Sequence, residues 1–222
     1  MWRLLLVLML FAPLAARSAE AVDVCFNYGC AGGSRVAFSD ARLREVRALL
    51  ADASDAAAER DAIAAAVGRM YRIAAGQSPI GADRAGNYLD GGVVGRMDCI
   101  DHSTTTGRFL ALLESRGWLR FHRVAEPARR TRIIFQHFSA VIEETGPAAP
   151  EPERERDHVP LSLTRCDCQN DEEFPRIREP EMQPPQQVAR RFAVDSWFVE
   201  PGEPAVLLPL QEWMNGEGPN VQ

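Results

Sequence analysis

Apolar residues recur at helical spacing in the first half of the chain and at strand spacing in the second. Leu43, Val46, Leu49 and Leu50 share one face of a helix that Ser39 or Asp40 caps and that ends near Asp52. A second helix starts after Ser54, runs through Ile63, Val67, Met70 and Ile73, and stops at Gly76. Residues 76–97 hold six glycines and Pro79 and read as a loop. From about Asp98 a third helix presents Phe109, Leu110, Leu112 and Leu113 before Gly117 ends it. The period then changes. Residues 118–124, 131–143, 192–199 and 206–210 are rich in aromatic and β-branched side chains and predict strands. A further short strand is expected near 36–38, after a Gly- and Cys-rich segment at 25–33. Helices first and strands afterwards predict an α+β fold, with an antiparallel sheet packed on the third helix.

Two stretches stand outside this pattern. Residues 4–16 are apolar throughout, follow the single cation Arg3 and lead to Ala19-Glu20-Ala21. This is the form of a signal peptide over residues 1–21, cleaved after Ala21, and the run is too short for a membrane anchor. The rest, 22–222, reads as one domain without stable membrane insertion, secreted or periplasmic. The second stretch is an insertion at 145–188, which holds eight of the 15 prolines and ten acids against five arginines. It reads as a solvated acidic loop that could also shape or cover a cleft. The whole chain carries a formal charge of −6, which argues against a nucleic-acid binder. The arginines of 129–132 read as a solvated turn.

Five cysteines leave at least one thiol unpaired in a monomer exposed to an oxidising compartment. Cys25 with Cys30 and Cys166 with Cys168 form two close pairs whose connectivity the sequence leaves open. A structural disulfide role is the first reading. A zinc site that adds His158 is the weaker one, because Cys-x-Cys is an uncommon structural zinc spacing. Neither a metal nor a cofactor is called for: Gly29 to Gly33 lacks the Lys and the spacing of a phosphate loop.

Cys99 is the lone thiol. It opens the third helix, where backbone N–H groups and the helix dipole lower a thiol pKa. A nucleophilic thiol needs a base and a group that orients the base. His137 and Asp195 each lie in a strand apolar on both faces, and burying an imidazole and a carboxylate there is costly unless they pair. Thiol, imidazole and carboxylate thus make a candidate catalytic triad: Cys99, His137, Asp195. His102, one turn beyond Cys99, is a rival base, with a polar helix position as its plainer reading. His122 and His158 read as structural or surface residues.

Gly95-Arg96-Met97-Asp98-Cys99-Ile100-Asp101 before Phe109 to Leu113, His137-Phe138-Ser139-Ala140-Val141, and Phe192 to Trp197 together resemble the transglutaminase-like branch of the papain-like cysteine hydrolases. The resemblance covers about residues 87–144 and 190–213. It implies a transglutaminase-like core carrying a Pro-rich acidic insertion, with Cys99 as nucleophile, His137 as general base and Asp195 as orienting carboxylate. The implied activity is thiol-dependent hydrolysis or acyl transfer on a peptide or protein amide, through a thioester. Asp98 departs from the family, many members of which have Gly close before the Cys. Its carboxylate either opposes the thiolate or caps the helix. The Cys99 N–H is the default oxyanion donor, and Asn87 a second candidate. Two rivals differ in class: a catalytically inert domain of the same fold that binds a peptide or partner protein, and an assembly factor in which Cys99 pairs with another chain.

Overall fold

The structure is a computed structural model and describes residues 19–132, 135–146 and 190–219. A hairpin of β1 (Glu20–Phe26) and β2 (Gly32–Phe38) precedes α1 (Asp40–Ala51), α2 (Ala56–Ala75) and a 3₁₀ turn at Pro79–Ala82. Then come α3 (Cys99–Ser115), β3 (His122–Arg132), β4 (Phe135–Glu144), β5 (Arg191–Asp195), β6 (Val206–Pro209) and α4 (Leu210–Asn215). The four later strands form one sheet in the order β3-β4-β5-β6, every neighbour antiparallel. Mixed helix and antiparallel sheet is the α+β class the sequence predicts.

α3 is the centre of the molecule. It packs on β4, β3 and β5 on one side and on β1 on the other. Such a helix must be apolar around most of its girth, and Phe109, Leu110 and Leu113 are fully buried in one cluster with Val24, Phe38, Met70 and Ile142. Two N-caps set the helices in front of it. Ser39 accepts from the N–H of Arg42, and Asp55 from that of Ala58. The far side of the sheet is covered by α4 through the buried Trp213.

The pattern misjudged several boundaries. The Gly- and Cys-rich segment at 25–33 is the turn of a full hairpin, and the expected cut after Ala21 falls inside β1, where Glu20 and Ala21 pair with Phe38 and Ala37. The arginines of 129–132 are not a turn but the end of β3, paired with residues 135–138. The alternation that would have revealed this is broken by a bulge between Ala125 and Ala128, where Pro127 has no N–H for the ladder. Residues 196–199 leave the sheet, because β5 ends at Asp195. Residues 1–18 of the expected signal peptide and residues 147–188 of the expected insertion, with Cys166, Cys168 and His158, lie outside the described residues. Residues 144 and 190, between which the insertion runs, are at the end of β4 remote from His137.

Candidate active site

α3 starts at Cys99 because Asp98 stops the helix there. One Asp98 oxygen accepts from the N–H groups of Ile100 and Asp101 at 3.0 and 2.9 Å, and the Asp101 carboxylate accepts from the Asp98 N–H at 3.2 Å. This reciprocal capping box fixes the first turn. Asp98 is therefore a cap, and its charge also opposes the Cys99 thiolate, so it fills both roles that the sequence offered it. The Cys99 N–H stays outside that box and is directed at its own sulfur. Gly95 sets the approach to the cap. Its φ is +93°, and a Cβ there would come within 2.0 Å of the Pro79 carbonyl oxygen, so only glycine fits.

The Cys99 sulfur lies against the edge of β4. Pairing of β4 with β5 stops at Ala140 opposite Val194, so among the described residues no strand pairs with the edge of residues 136–138 on that side. The C=O of one residue and the N–H two residues on point out of the same edge of a strand. The Cys99 Sγ accordingly stands 3.8 Å from the Gln136 carbonyl oxygen, and the Phe138 N–H stabilises its thiolate. Both peptide groups that flank His137 thus touch the sulfur. The lowered thiol pKa expected at a helix start is not what the site yields. Burial pushes the thiol up, the Phe138 N–H pulls it down, and the carboxylates of Asp98 and Asp195 push it up further, leaving it raised.

His137 and Asp195 are brought together. Nε2 of His137 is 2.6 Å from Oδ2 of Asp195, a distance that the register explains: Asp195 follows Val194 opposite Ala140, one step on the diagonal from His137 on the same face. Asp195 is almost fully buried, and its two oxygens also accept from Trp213 Nε1 at 2.8 Å and the Trp197 N–H at 3.2 Å. The imidazole is boxed by Trp197, Phe198 and Trp213, with ring centroids 5.1, 5.3 and 5.6 Å away. Its Nδ1 makes no hydrogen bond among the described residues. With the carboxylate on Nε2, Nδ1 is the nitrogen left to exchange a proton.

The other sequence candidates fall elsewhere. His102 is not a polar helix residue: it is buried, with Nε2 at 2.9 Å from Asp83 and Nδ1 at 2.8 Å from Ser196. Both nitrogens are occupied, so it is no base for Cys99. Ser196 also meets Thr106 and Tyr71, at 2.9 and 3.1 Å, which ties the turn after Asp195 to α2 and α3. His122 is structural, buried against Glu59 at 2.8 Å. Asn87 gives its amide to Asp90 at 2.8 Å and is not free for an oxyanion. Cys25 and Cys30 form a disulfide. Their sulfurs and Asp101 lie close enough for a metal, but the sulfurs are bonded to each other and Asp101 is saturated with N–H donors, so the donor set does not suit one.

Two residues that the sequence did not single out complete the mouth. Tyr88 stacks edge-on against Trp197 at 4.6 Å and is half exposed; burial first, then Cys99 and Asp195, push its phenol up, while Arg130 pulls it down. Arg130 stacks on Trp213 at 4.6 Å and donates to its carbonyl, which steadies the tryptophan behind Asp195. Their only signal in the sequence was their type, since both come from segments expected to be turn or loop. Phe135 and Ile100, next in the chain to Gln136 and Cys99, are exposed apolar side chains. No family model, curated protein or solved structure matches the chain.

Proposed function

We propose that this chain is a thiol-dependent hydrolase or acyl transferase of transglutaminase-like type, acting on a peptide or protein amide. The observation that carries the reading is the His137–Asp195 pair at 2.6 Å, with Nδ1 unbonded among the described residues and the Cys99 sulfur against the peptide groups that flank His137. In this reading Nδ1 takes the Cys99 proton as the sulfur attacks the amide carbonyl. The Cys99 N–H, which the capping box does not use, donates to the developing oxyanion. The imidazolium then gives its proton to the departing amine, and the acyl group stays on sulfur as a thioester. Water, deprotonated by His137, releases an acid; an amine acceptor yields a new amide. The raised thiol pKa means that the proton moves with substrate in place, rather than resting on His137 beforehand.

An extracytoplasmic location belongs to the same reading. The Cys25–Cys30 disulfide fits an oxidising compartment, and no helix among the described residues is long and apolar enough to cross a membrane. The second reading, an inert domain of this type that binds a peptide, draws on the same raised thiol and on the exposed apolar side chains of Phe135 and Ile100. An activated ester separates the two. With p-nitrophenyl acetate, the enzyme reading expects a stoichiometric burst of nitrophenol and an acetyl group on Cys99 by mass spectrometry, both lost in Cys99→Ala and strongly slowed in His137→Ala. Acylation at the same rate in wild type and His137→Ala would leave the binding reading.

A further inference from the structure

The turn between β1 and β2 has an unusual backbone. Asn27, Tyr28, Gly29 and Cys30 are all left-handed, with φ of +66°, +63°, +64° and +59°, a run that L-residues avoid. Consecutive left-handed residues turn their N–H groups to one side, and here those groups meet the start of α3. Tyr28 and Cys30 donate to the two oxygens of Asp101 at 2.7 and 2.6 Å. Gly29 donates to Asp98 at 3.0 Å. Asn27 donates to the Arg96 carbonyl at 2.7 Å and accepts from Gly95 at 2.8 Å. The residues that cap the Cys99 helix are therefore held by a loop whose two ends the Cys25–Cys30 disulfide joins.

A surface cavity of about 360 Å³ is lined by Cys25, Cys30, Gly32, Arg35 and Arg108. Cys30 is half-buried while Cys25 is buried, so an incoming thiolate reaches Cys30 first. The Arg108 guanidinium donates to the Cys25 sulfur at 3.4 Å and to the Asp23 carbonyl at 2.9 Å. A cation on the departing sulfur is what thiol–disulfide exchange needs, because the leaving thiolate sets the rate.

We propose that Cys25–Cys30 is a redox-active disulfide, a substrate for a dithiol reductant, whose state sets the reactivity of Cys99 through Asp98 and Asp101. One thiolate of the dithiol attacks Cys30 Sγ, the Cys25–Cys30 bond breaks, and Cys25 leaves as a thiolate beside Arg108. The second thiolate of the dithiol then displaces Cys30 from the mixed disulfide. The dithiol is oxidised to its cyclic disulfide, and its two electrons and two protons end on Cys25 and Cys30. With the loop released, the two cap carboxylates lose three N–H partners, and their charge bears more heavily on the Cys99 thiolate.

The inference rests on Cys99 as the working thiol of the proposed function, and its test reads Cys99 without assuming catalysis. Purified protein is equilibrated in dithiothreitol buffers of graded oxidised-to-reduced ratio, with tryptophan fluorescence followed to show that it stays folded. Alkylation of each cysteine is then resolved by peptide mass spectrometry. Cys25 and Cys30 are expected to reduce together in the folded protein, and Cys99 to alkylate about threefold or more slowly once they do. Arg108→Gln is expected to slow the reduction of the disulfide several-fold while leaving Cys99 alkylation in the oxidised state unchanged. The proposal is overturned if the disulfide reduces only after unfolding, or if the Cys99 rate stays within about twofold or rises on reduction. Failure of the triad reading looks different: acylation of Cys99 by p-nitrophenyl acetate in oxidised protein at a rate that His137→Ala does not change.

Discussion

A single oxygen of Asp195 accepts from both His137 Nε2 and Trp213 Nε1, at 2.6 and 2.8 Å. The imidazole and the indole are thereby fixed by one carboxylate at the end of β5, and the other oxygen holds the chain turning away at Trp197. An amide in that place cannot serve all three donors: its oxygen can accept from His137 and Trp213, but its NH₂ then faces the Trp197 N–H. Asp195→Asn is expected to slow acylation of Cys99 by about two to four orders of magnitude, because the imidazolium loses its counter-charge. Stability falls by about 1–3 kcal/mol for the mismatched buried donor. Ester burst kinetics and urea unfolding on the same protein check both.

Reactivity of Cys99 with iodoacetamide should follow a thiol raised above its ordinary value. Below that raised pKa the group is protonated, so at pH 7 the alkylation rate is low, and it is still climbing above the ~8.5 at which a free thiol is half ionised. The sign for stability is the same: a folded pKa above the unfolded one favours folding at low pH, and the gain fades as pH rises toward the folded pKa. Rates measured from pH 6 to pH 10.5 decide it. A plateau reached below pH 8 would show instead a thiolate preformed against His137.

Trp213→Phe keeps most of the ring that covers His137 and removes one donor from Asp195. The freed carboxylate oxygen is then held by His137 alone, and Arg130 loses part of its stacking partner. A fall of about tenfold in Cys99 acylation is expected, with a cost of about 1–2 kcal/mol. The pH profile should keep its shape, since the tryptophan positions the dyad and carries no proton of the reaction. Single-turnover acylation across pH measures this.

Gly95→Ala tests the approach to the helix cap. The new Cβ would meet the Pro79 carbonyl at 2.0 Å, and the residue would have to keep a φ of +93°. We expect a loss of about 2–4 kcal/mol, with Cys99 reactivity changed because Gly95 also donates to the Asn27 loop. Thermal unfolding and alkylation by iodoacetamide report the two effects separately.

How far the sequence could be read depended on how local each signal was. Ser39, Asp55 and Asp98 announce their helices because a cap acts within its own turn. Cys99, His137 and Asp195 could be named because each is costly where it stands: an unpaired thiol at a helix start, and polar groups in apolar strands. Their closeness is a matter of register, and register past a bulge at Pro127 and a long insertion is not written locally. His102 was misread for a related reason. Its partners Asp83 and Ser196 lie 19 and 94 residues away, so nothing near it marks it as buried. Tyr88 reaches the site through the Trp197 ring, and Arg130 through the ring and carbonyl of Trp213.

Glu59 supplies a prediction away from the site. It is fully buried on α2 and accepts from the N–H groups of Arg120 and Phe121 at 2.6 and 2.8 Å and from His122 Nδ1 at 2.8 Å. Burial alone would push its carboxyl up, but His122 and the two backbone donors outweigh it and hold it below the ordinary value. A depressed folded pKa gives stability that is whole above the unfolded value near ~4.3 and is lost as pH falls through the folded one. Glu59→Gln keeps the size and removes the charge that all three donors face. It should cost about 2–4 kcal/mol at pH 7, where the carboxylate is fully ionised. That difference should shrink as the pH is lowered below about 4, because the wild type then loses the same charge. Urea unfolding at pH 7 and at pH 3.5 measures it, and a wild-type advantage that is equal at both would mean that the carboxylate acts through its shape and not its charge.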